Sequence, residues 1–434
     1  MAEVTVQQIE SCGVVGGGGA GFPTHVKLNA KADIILLNAA ECEPLLHKDK
    51  EMLRAYADEV IAGLEAGRRL VGAAESVIGI KYKYQEVIEV LRPKLRPKMR
   101  IAELSDSYPS GDEFILVYDV TGRVIPPGKI PLNVGAVVMN VETAYNVARG
   151  VPVTHKFLTV AGAVAEPVTV AVPVGTTFRE TIELAGGATA DDTAVLVGGV
   201  MMGRLAESLD EVVTKTTGGL IVLPGSHRLI ARYRNDWSAI ARIGASCCDQ
   251  CSFCTEMCPR YLLGHPIEPH RAMRSLVYSQ IGESNVIGTQ FCCECNLCTM
   301  IACPEDLDPK NVCTQNKRRL AAEGQRWNVA AEEARPGLHL NNRRVPLKRL
   351  IAKLGLSEYR NVGPLVSNGW QPKKVRLPLS QHIGAPAEPV VRTGDRVNVG
   401  DVIARPPSGK LGAVIHASIA GRVSSARDAL VIEA

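Results

Sequence analysis

Apolar runs and polar breaks alternate along the first third of the chain as they do in layered α/β domains. Residues 33–40, 76–82 and 135–139 form short apolar runs, which predict buried strands. Residues 51–72 carry apolar side chains at helical spacing, and a further helix is predicted to begin near Asn140. Polar residues follow the buried strands, and open α/β sheets bind ligands at the carboxyl ends of their strands. The pattern therefore predicts a ligand site at one edge of this sheet.

A glycine-rich loop precedes the first of these strands. Residues 12–28 read CGVVGGGGAGFPTHVKL, with six glycines between Gly13 and Gly21. Glycine lets the backbone approach a phosphate closely, and a following helix N-terminus supplies N–H donors. Lys27 adds a positive charge. The loop is a candidate phosphate cradle, and a flexible turn is the alternative.

The remainder of the chain changes character twice. Residues 154–225 read as short β segments, and residues 228–325 are predicted to be helical between two runs of cysteines. A length of 434 residues predicts two to four domains. Aromatic residues make up only 4% of the chain, so the cores are expected to consist of Val, Ile, Leu and Ala.

Charge and hydropathy exclude several classes of protein. A net charge of +4 gives no case for nucleic-acid binding. No apolar stretch reaches the roughly 18 to 20 residues of a membrane span. The start of the chain lacks a basic segment followed by an apolar core, so export is not expected. Free thiols fit a reducing cytoplasm.

Ten of the thirteen cysteines lie between residues 247 and 303. Two runs share the rhythm Cys-x2-Cys-x2-Cys, and each ends in Cys-Pro after a further gap of three or four residues. This spacing is typical of proteins that hold two [4Fe–4S] clusters. Zinc sites prefer two separated cysteine pairs, and disulfides need an oxidising compartment, so both alternatives are weak.

In two-cluster ferredoxins the cysteine before proline ligates the other cluster. That rule predicts two ligand sets that each borrow one cysteine from the other run. The gap of four residues in the second run predicts a small bulge there. Cys247 and Cys293 are spare neighbours, and the remaining cysteines are expected to be ordinary thiols. The predicted ligands are Cys248, Cys251, Cys254 and Cys303 for the first cluster, and Cys292, Cys295, Cys298 and Cys258 for the second.

Four motifs in order carry a family resemblance: GGGGAGFPTHVK, NAAECEP, YPSGDE and MNVETAYNV. Together they resemble the flavin-binding domain of the complex I flavoprotein subunit. They are also similar to the electron-input subunits of Rnf complexes and to the cobalamin reductases of propanediol-utilising bacteria. The resemblance implies bound FMN, with NADH as the electron donor, and no residue with a covalent catalytic role.

The resemblance also implies which residues contact these molecules. The flavin contacts are Gly16, Gly17, Gly18, Gly19, Gly21, Lys27, Asn38, Asn140 and Thr143. The residues expected on the nicotinamide nucleotide side are Phe22, Glu41, Tyr108, Gly111, Asp112 and Glu113.

The later segments extend the resemblance over nearly the whole chain. Segments such as VRTGDRVNVGDVIA near the end are similar to a barrel-sandwich domain of the biotinyl/lipoyl type. A C-terminal position for this module is typical of the cobalamin reductases. The fold class implied is multidomain α/β. Its expected parts are a Rossmann-like flavin domain (1–152), a β-grasp SLBB domain (153–226), a helical two-cluster ferredoxin-like domain (227–330), a linker (331–374) and a barrel-sandwich hybrid domain (375–434).

The implied function is an NADH-dependent cobalamin reductase. Electrons would pass from NADH through FMN and two [4Fe–4S] clusters to cob(III/II)alamin or a corrinoid-processing protein. Other proteins of a bacterial microcompartment in the cytoplasm would be its partners. Two alternatives keep the redox centres: a non-catalytic electron-transfer subunit of a larger Rnf-like complex, and a redox-linked adaptor.

Overall fold

The computed structural model describes residues 4–277, 286–327, 334–367, 369–426 and 429–434. Parts of the predicted domains at 1–3, 278–285, 328–333, 368 and 427–428 lie outside the described residues. Among the helices of the described ranges, none combines the length and apolarity needed to cross a bilayer.

The first apolar runs form a parallel sheet in the flavin domain. Strands β1 (Ile34–Ala39), β2 (Glu75–Lys81), β3 (Met99–Leu104) and β5 (Ala136–Asn140) lie in the order β3-β2-β1-β5. Strands β1, β2 and β5 are buried almost throughout because helices cover the sheet, and this explains their continuous apolar sequences. The edge strand β3 is different, because Arg100 and Glu103 are exposed. The helices of this domain are Val6–Ser11, Thr24–Leu28, Lys48–Ala55, Ala57–Val71, Gln85–Leu91, Glu113–Thr121 and Val141–Arg149, with 3-10 turns at Arg92–Lys94 and Pro131–Val134.

The β-grasp domain follows and joins the flavin domain through an acidic turn. Its strands are β6 (His155–Gly162), β7 (Val168–Pro173), β8 (Thr193–Val197), β9 (Arg204–Leu205) and β10 (Gly219–Pro224), with the helix Phe178–Glu183. The Glu43 carboxylate accepts hydrogen bonds from the backbone N–H groups of Met201 and Met202, both at 2.9 Å. Burial raises the pKa of Glu43 to about 7, although these N–H groups lower it.

The cluster domain is helical between its cysteine turns, as predicted. Short helices suit this region because the cysteine turns interrupt the backbone at close intervals. Its helices are Arg228–Tyr233, Trp237–Cys247, Phe253–Glu256, Pro259–Leu262, Pro269–Arg274 and Pro309–Ala322, with a 3-10 turn at Ile287–Phe291 and a π-helical turn at Cys298–Ala302.

The segment predicted as a linker contains regular structure that attaches it to other domains. β11 (Val345–Pro346) pairs antiparallel with β4 (Ser107–Tyr108) of the flavin domain. β12 (Leu365–Val366) adds a parallel strand to the β-grasp sheet beside β7. Between them lies the helix Leu347–Lys353. This connecting segment therefore ties the first two domains to the end of the chain.

The sandwich domain consists of two small sheets. β13 (Lys374–Pro378), β15 (Arg396–Val397), β18 (Gly421–Ala426) and β19 (Ala429–Glu433) form one sheet, and β14 (Glu388–Pro389), β16 (Val402–Arg405) and β17 (Ile415–His416) form the other. Its apolar core extends to Val174 of the β-grasp domain.

Three domains meet at the buried side chain of Lys215. Its Nζ donates hydrogen bonds to the carbonyl oxygens of Gly13 at 2.7 Å and Val414 at 2.8 Å. The far end of the glycine loop is also held, because the Ile383 N–H donates to the Gly21 carbonyl at 3.1 Å. The sandwich domain therefore contacts both ends of the glycine loop of the flavin domain.

Candidate flavin and iron–sulfur sites

The flavin cavity lies where the order of the parallel strands reverses. Asn38 at the end of β1 is in register with Asn140 at the end of β5, while β2 lies on the other side of β1. Ligands of open α/β sheets bind at such a point. The cavity has a volume of about 180 Å³. It is lined by Gly16, Gly18, Ala20, Phe22, Thr24, Lys27, Leu28, Asn38, Gly111, Glu113, Val138, Met139, Asn140 and Thr143.

The two asparagines are held in place by their neighbours. The Asn38 side-chain amide donates to the Gly111 carbonyl at 2.8 Å. The Asn140 amide donates to Asp49 at 2.7 Å, while its oxygen accepts from the Glu142 N–H at 3.0 Å and so caps the helix Val141–Arg149. Both side chains therefore reach the cavity in fixed orientations.

The glycine loop lies against the start of the same helix. The Gly17 N–H donates to the Thr143 hydroxyl at 2.9 Å. A side chain at Gly17 would meet Asn140 and Glu142 at 3.1 Å, whereas Gly18 borders the cavity with its backbone. Positive φ values occur in the loop at Gly13, Gly19 and Gly21, with values of 64°, 109° and 68°. The loop thus needs glycine for close packing at one position and for backbone conformation at three others.

Lys27 supplies the cation of this cavity. Its Nζ donates to the Val138 carbonyl at 3.1 Å. Burial lowers the pKa of Lys27, and the nearby Glu113 opposes that shift. A cation beside bare glycine backbone suits an anionic phosphate, so these residues fit a phosphate-bearing flavin.

The acidic residues predicted for the nicotinamide side have different roles. Glu113 lines the cavity, and burial raises its pKa while Lys27 lowers it. Asp112 instead caps the helix Glu113–Thr121 and accepts a hydrogen bond from Arg260 at 2.8 Å. Glu41 accepts from the Asp49 N–H at 3.1 Å, and its pKa is raised to about 8 by burial and by Asp49.

Several predicted residues therefore lie next to the cavity and not in its lining. Gly17, Gly19 and Gly21 shape the loop, while Glu41 and Asp112 contact residues behind it. Tyr108 is buried and its hydroxyl donates to the Cys295 carbonyl at 2.8 Å, so it faces the cluster domain.

A buried ionic layer beneath the glycine loop was not predicted. Glu142 pairs with Lys156 and, at 3.3 Å, with Lys48, which also pairs with Asp49. Lys156 donates to the Gly17 carbonyl at 3.1 Å. Burial lowers the pKa of Lys156, and Glu142 opposes this shift. The lining residues Ala20, Thr24 and Met139 were also missed, although each lies within a motif that was recognised.

The first four predicted ligands surround one cavity. Cys248, Cys251, Cys254 and Cys303 line it together, so the cysteine before Pro304 comes from the second run. Positive φ values of 60° and 65° at Gln250 and Ser252 wind the first run around this cavity. The Leu307 N–H approaches the Cys303 sulfur at 3.4 Å, and such contacts tune cluster potentials.

The second cavity mirrors this arrangement. Cys258 joins Cys292, Cys295 and Cys298 in its lining, with the spare Cys293 and the distant Cys313 beside them. The bulge predicted in the second run is the π-helical turn Cys298–Ala302, which takes up the extra residue. No group of three or more His, Cys, Asp or Glu side chains that could hold a single metal ion occurs within the described ranges.

Arg260 connects the second cysteine cavity to the flavin domain. It follows Cys258 by two positions and is buried against Asp112. Its guanidinium carbon lies 3.4 Å from the centre of the Phe114 ring. The segment around Asp112 and Glu113 thus reaches the flavin cavity on one side and the cysteine cavity on the other.

The fold and these sites define a flavin- and iron–sulfur-containing electron-transfer protein. Four family models match the chain: the Nuo51 FMN-binding domain at 9–149, the SLBB domain at 157–205, the 4Fe-4S dicluster domain at 247–308 and the RnfC barrel sandwich hybrid domain at 363–434. The chain therefore contains an FMN-binding domain and a domain for two [4Fe–4S] clusters.

Two curated relatives identify the family. Cobalamin reductase PduS of Salmonella typhimurium is 46% identical over 428 residues, which cover 96% of this chain and 94% of that protein. Cobalamin reductase PduS of Citrobacter freundii is 44% identical over 432 residues, which cover 98% and 94%. The chain belongs to the PduS cobalamin reductase family.

A solved structure shares the fold at lower identity. The NAD+-reducing [NiFe]-hydrogenase in its H2-reduced state matches with a TM-score of 0.50 and 21% identity. The match covers 75% of this chain, and the chain spans 63% of that hydrogenase chain.

Proposed function

We propose that this protein passes electrons from NADH through FMN and two [4Fe–4S] clusters to cobalamin. The continuous contact from the flavin cavity to the second cysteine cavity carries this proposal. Glu113 borders the flavin cavity, its neighbour Asp112 binds Arg260, and Arg260 lies two residues after Cys258. Membership in the PduS family supports cobalamin as the acceptor.

Each part of the flavin cavity has a separate task. The glycine loop and Lys27 bind the phosphate, and the fixed side chains of Asn38 and Asn140 orient the ring system. Glu113 and Gly111 form the wall against which a nicotinamide is positioned. A bound flavin supplies uptake of two electrons together and release of single electrons.

The ligand sets belong to the same proposal. Cys248, Cys251, Cys254 and Cys303 would hold one cluster, and Cys258, Cys292, Cys295 and Cys298 the other. Their common lining of two cavities supports both sets. The surrounding protein excludes water and donates N–H···S contacts that set the cluster potentials.

The proposed setting is a bacterial microcompartment. A corrinoid-processing protein and other microcompartment proteins are the partners proposed there. The family resemblance of the whole chain, including its C-terminal sandwich domain, supports this setting.

Anaerobic reconstitution with iron, sulfide and FMN, followed by stopped-flow mixing with NADH and hydroxocobalamin, tests the function. NADH should bleach the flavin, and the cobalamin spectrum should then change to that of the cobalt(II) form. In a Cys298→Ala variant, NADH should still bleach the flavin, but cobalamin should be reduced much more slowly. A fully loaded protein that NADH does not bleach would contradict the proposal and favour an electron-transfer subunit.

A further inference from the structure

An open cationic groove lies beside the two cysteine cavities. Its volume is about 440 Å³, within the range of about 300–1,000 Å³ typical of small-molecule sites. Met257 and Ile301 contribute apolar surface to it. Its cations are Arg343, Arg344, Arg349 and Lys353.

Two of the four cations already have partners. Arg343 pairs with Glu256 at 2.8 Å, and Arg344 pairs with Asp119. The side chains of Arg349 and Lys353 are exposed and form no ion pair or hydrogen bond with any of the described residues. The groove therefore holds two positive charges that no side chain within the described ranges neutralises.

The cationic wall is fixed to the protein core. The helix Leu347–Lys353 buries Leu347 and Leu350, while Arg349 and Lys353 remain on its exposed side. The preceding strand β11 pairs with β4, which ends at Tyr108. Because Tyr108 donates to the Cys295 carbonyl, the wall has a defined position relative to the second cysteine cavity.

The apolar part of the groove belongs to the cysteine turns themselves. Met257 lies directly before Cys258, and Ile301 lies in the π-helical turn that begins at Cys298. Both side chains are partly exposed. A molecule in the groove would therefore touch the chain segments that carry the proposed cluster ligands.

We propose that this groove binds the electron acceptor through its phosphodiester, an inference that rests on the proposed function. Cobalamin combines a corrin ring, whose edge carries methyl groups and neutral amide side chains, with an anionic phosphodiester in its nucleotide loop. Met257 and Ile301 pack against methyl groups of the corrin, while Arg349 and Lys353 bind the phosphodiester. Guanidinium groups bind phosphate oxygens in a bidentate manner, and lysine adds a point charge.

The electrons balance with the donor already named. Each NADH gives up two electrons and releases one proton on oxidation to NAD+. Each electron that leaves a reduced cluster for the groove reduces one cob(III)alamin to cob(II)alamin and leaves the cluster oxidised by one electron.

Equilibrium binding of two corrinoids to the reconstituted full-length protein tests the groove. Hydroxocobalamin carries the phosphodiester, whereas cobinamide has the corrin ring without it. The double variant Arg349→Gln/Lys353→Gln should raise the Kd for hydroxocobalamin by about tenfold or more, since charge-assisted hydrogen bonds are lost. Its Kd for cobinamide should stay unchanged. The double variant Lys348→Gln/Lys373→Gln removes two exposed charges elsewhere and should bind both corrinoids as the parent does.

Separate outcomes decide the groove and the proposed function. Equal hydroxocobalamin binding by the two double variants would overturn the assignment of the groove as the phosphodiester site. Equal losses of affinity for both corrinoids would overturn it as well. If hydroxocobalamin binding depends on the groove but NADH does not reduce the bound cobalamin, the groove remains the binding site and the proposed function is wrong. If the Arg349→Gln/Lys353→Gln variant reduces hydroxocobalamin normally, with unchanged KM and Kd, the assignment of the groove is wrong and the proposed function stands.

Discussion

At the scale of single residues, Lys27 has the clearest assignment in the flavin cavity. Its ammonium group is largely buried between the Val138 carbonyl and Glu113, where burial lowers its pKa. A phosphate placed in the cavity would give this cation a second acidic neighbour and favour its charged form. Flavin binding and the charge of Lys27 should therefore support each other.

Lys27→Ala should weaken FMN binding by about tenfold to a hundredfold. A charge-assisted hydrogen bond contributes about 1.5 to 3 kcal/mol, and about 1.4 kcal/mol corresponds to one factor of ten. FMN dissociation and iron content measured on the same sample check this, and iron should not change. Lys31→Ala removes an exposed lysine nearby and serves as the control. Equal FMN affinity in the two variants would mean that Lys27 does not contact the phosphate.

Some residues could be assigned from the sequence and others could not. Asn38 and Asn140 could be assigned from the sequence because each lies at the end of a buried strand. The ends of neighbouring parallel strands lie close together. Asp112 was predicted for the nicotinamide side, but its carboxylate is engaged by Arg260, which lies far along the chain. A pairing over such a separation leaves no trace in local sequence patterns.

At the scale of elements, the cysteine turns exchange one residue each. Cys258 ends the first run but lines the cavity of the second, and Cys303 does the reverse. The short helix Pro259–Leu262 begins directly after Cys258. The two cavities consequently depend on each other for completion.

Cys258→Ala should damage the cluster of the second run more than that of its own run. The variant removes a thiolate from the cavity of Cys292, Cys295 and Cys298 and leaves the other cavity complete. EPR spectra of the reduced protein, compared with those of Cys254→Ala, distinguish the two clusters. Selective loss of the first cluster's signal in Cys258→Ala would show that the ligands do not cross.

Regular elements were predictable where a pattern extends over several residues. Strands β1, β2 and β5 of the flavin sheet could be predicted from their apolar runs because both faces of the sheet are covered there. β11 and β12 have two residues each, too few to show any period, and their partners lie in other domains. The segment containing them was therefore predicted as a linker.

At the scale of the whole molecule, Lys215 joins three domains, and no carboxylate among the described residues pairs with it. Its Nζ has only the carbonyls of Gly13 and Val414 as acceptors among the contacts of the described residues. Burial lowers the pKa of Lys215 to about 7, with a small opposing effect from Cys12. The buried His416 lies nearby, and burial lowers its pKa to about 4, so it remains neutral near pH 7.

The Lys215 junction should make stability depend on pH. Below about pH 7 both the folded and the unfolded chain carry the proton, so the cost of burying the charge is fully present. Between about 7 and 10.5 only the unfolded chain remains protonated, so the free energy of unfolding should rise with pH. The rise is at most about 1.4 kcal/mol per pH unit.

Unfolding midpoints in urea at pH 7 and pH 9 check this effect. Relative to the midpoint of Lys215→Met, the unfolding midpoint of the parent should be higher at pH 9 than at pH 7. Lys373→Met removes an exposed lysine and should show no such shift. Parallel pH profiles for the parent and Lys215→Met would contradict the assignment.

The contacts between the sandwich domain and the glycine loop also have a consequence for biosynthesis. A ribosome makes Gly21 long before Ile383, so their hydrogen bond must wait about 20 to 70 s at about 5–20 residues per second. During that interval the strands of the flavin domain have been synthesised, but the sandwich-domain contacts at both ends of its glycine loop are missing. Chains that terminate before the sandwich domain would keep the flavin-binding motifs and still retain flavin poorly. Tight flavin retention would thus mark polypeptides that have been translated through the sandwich domain.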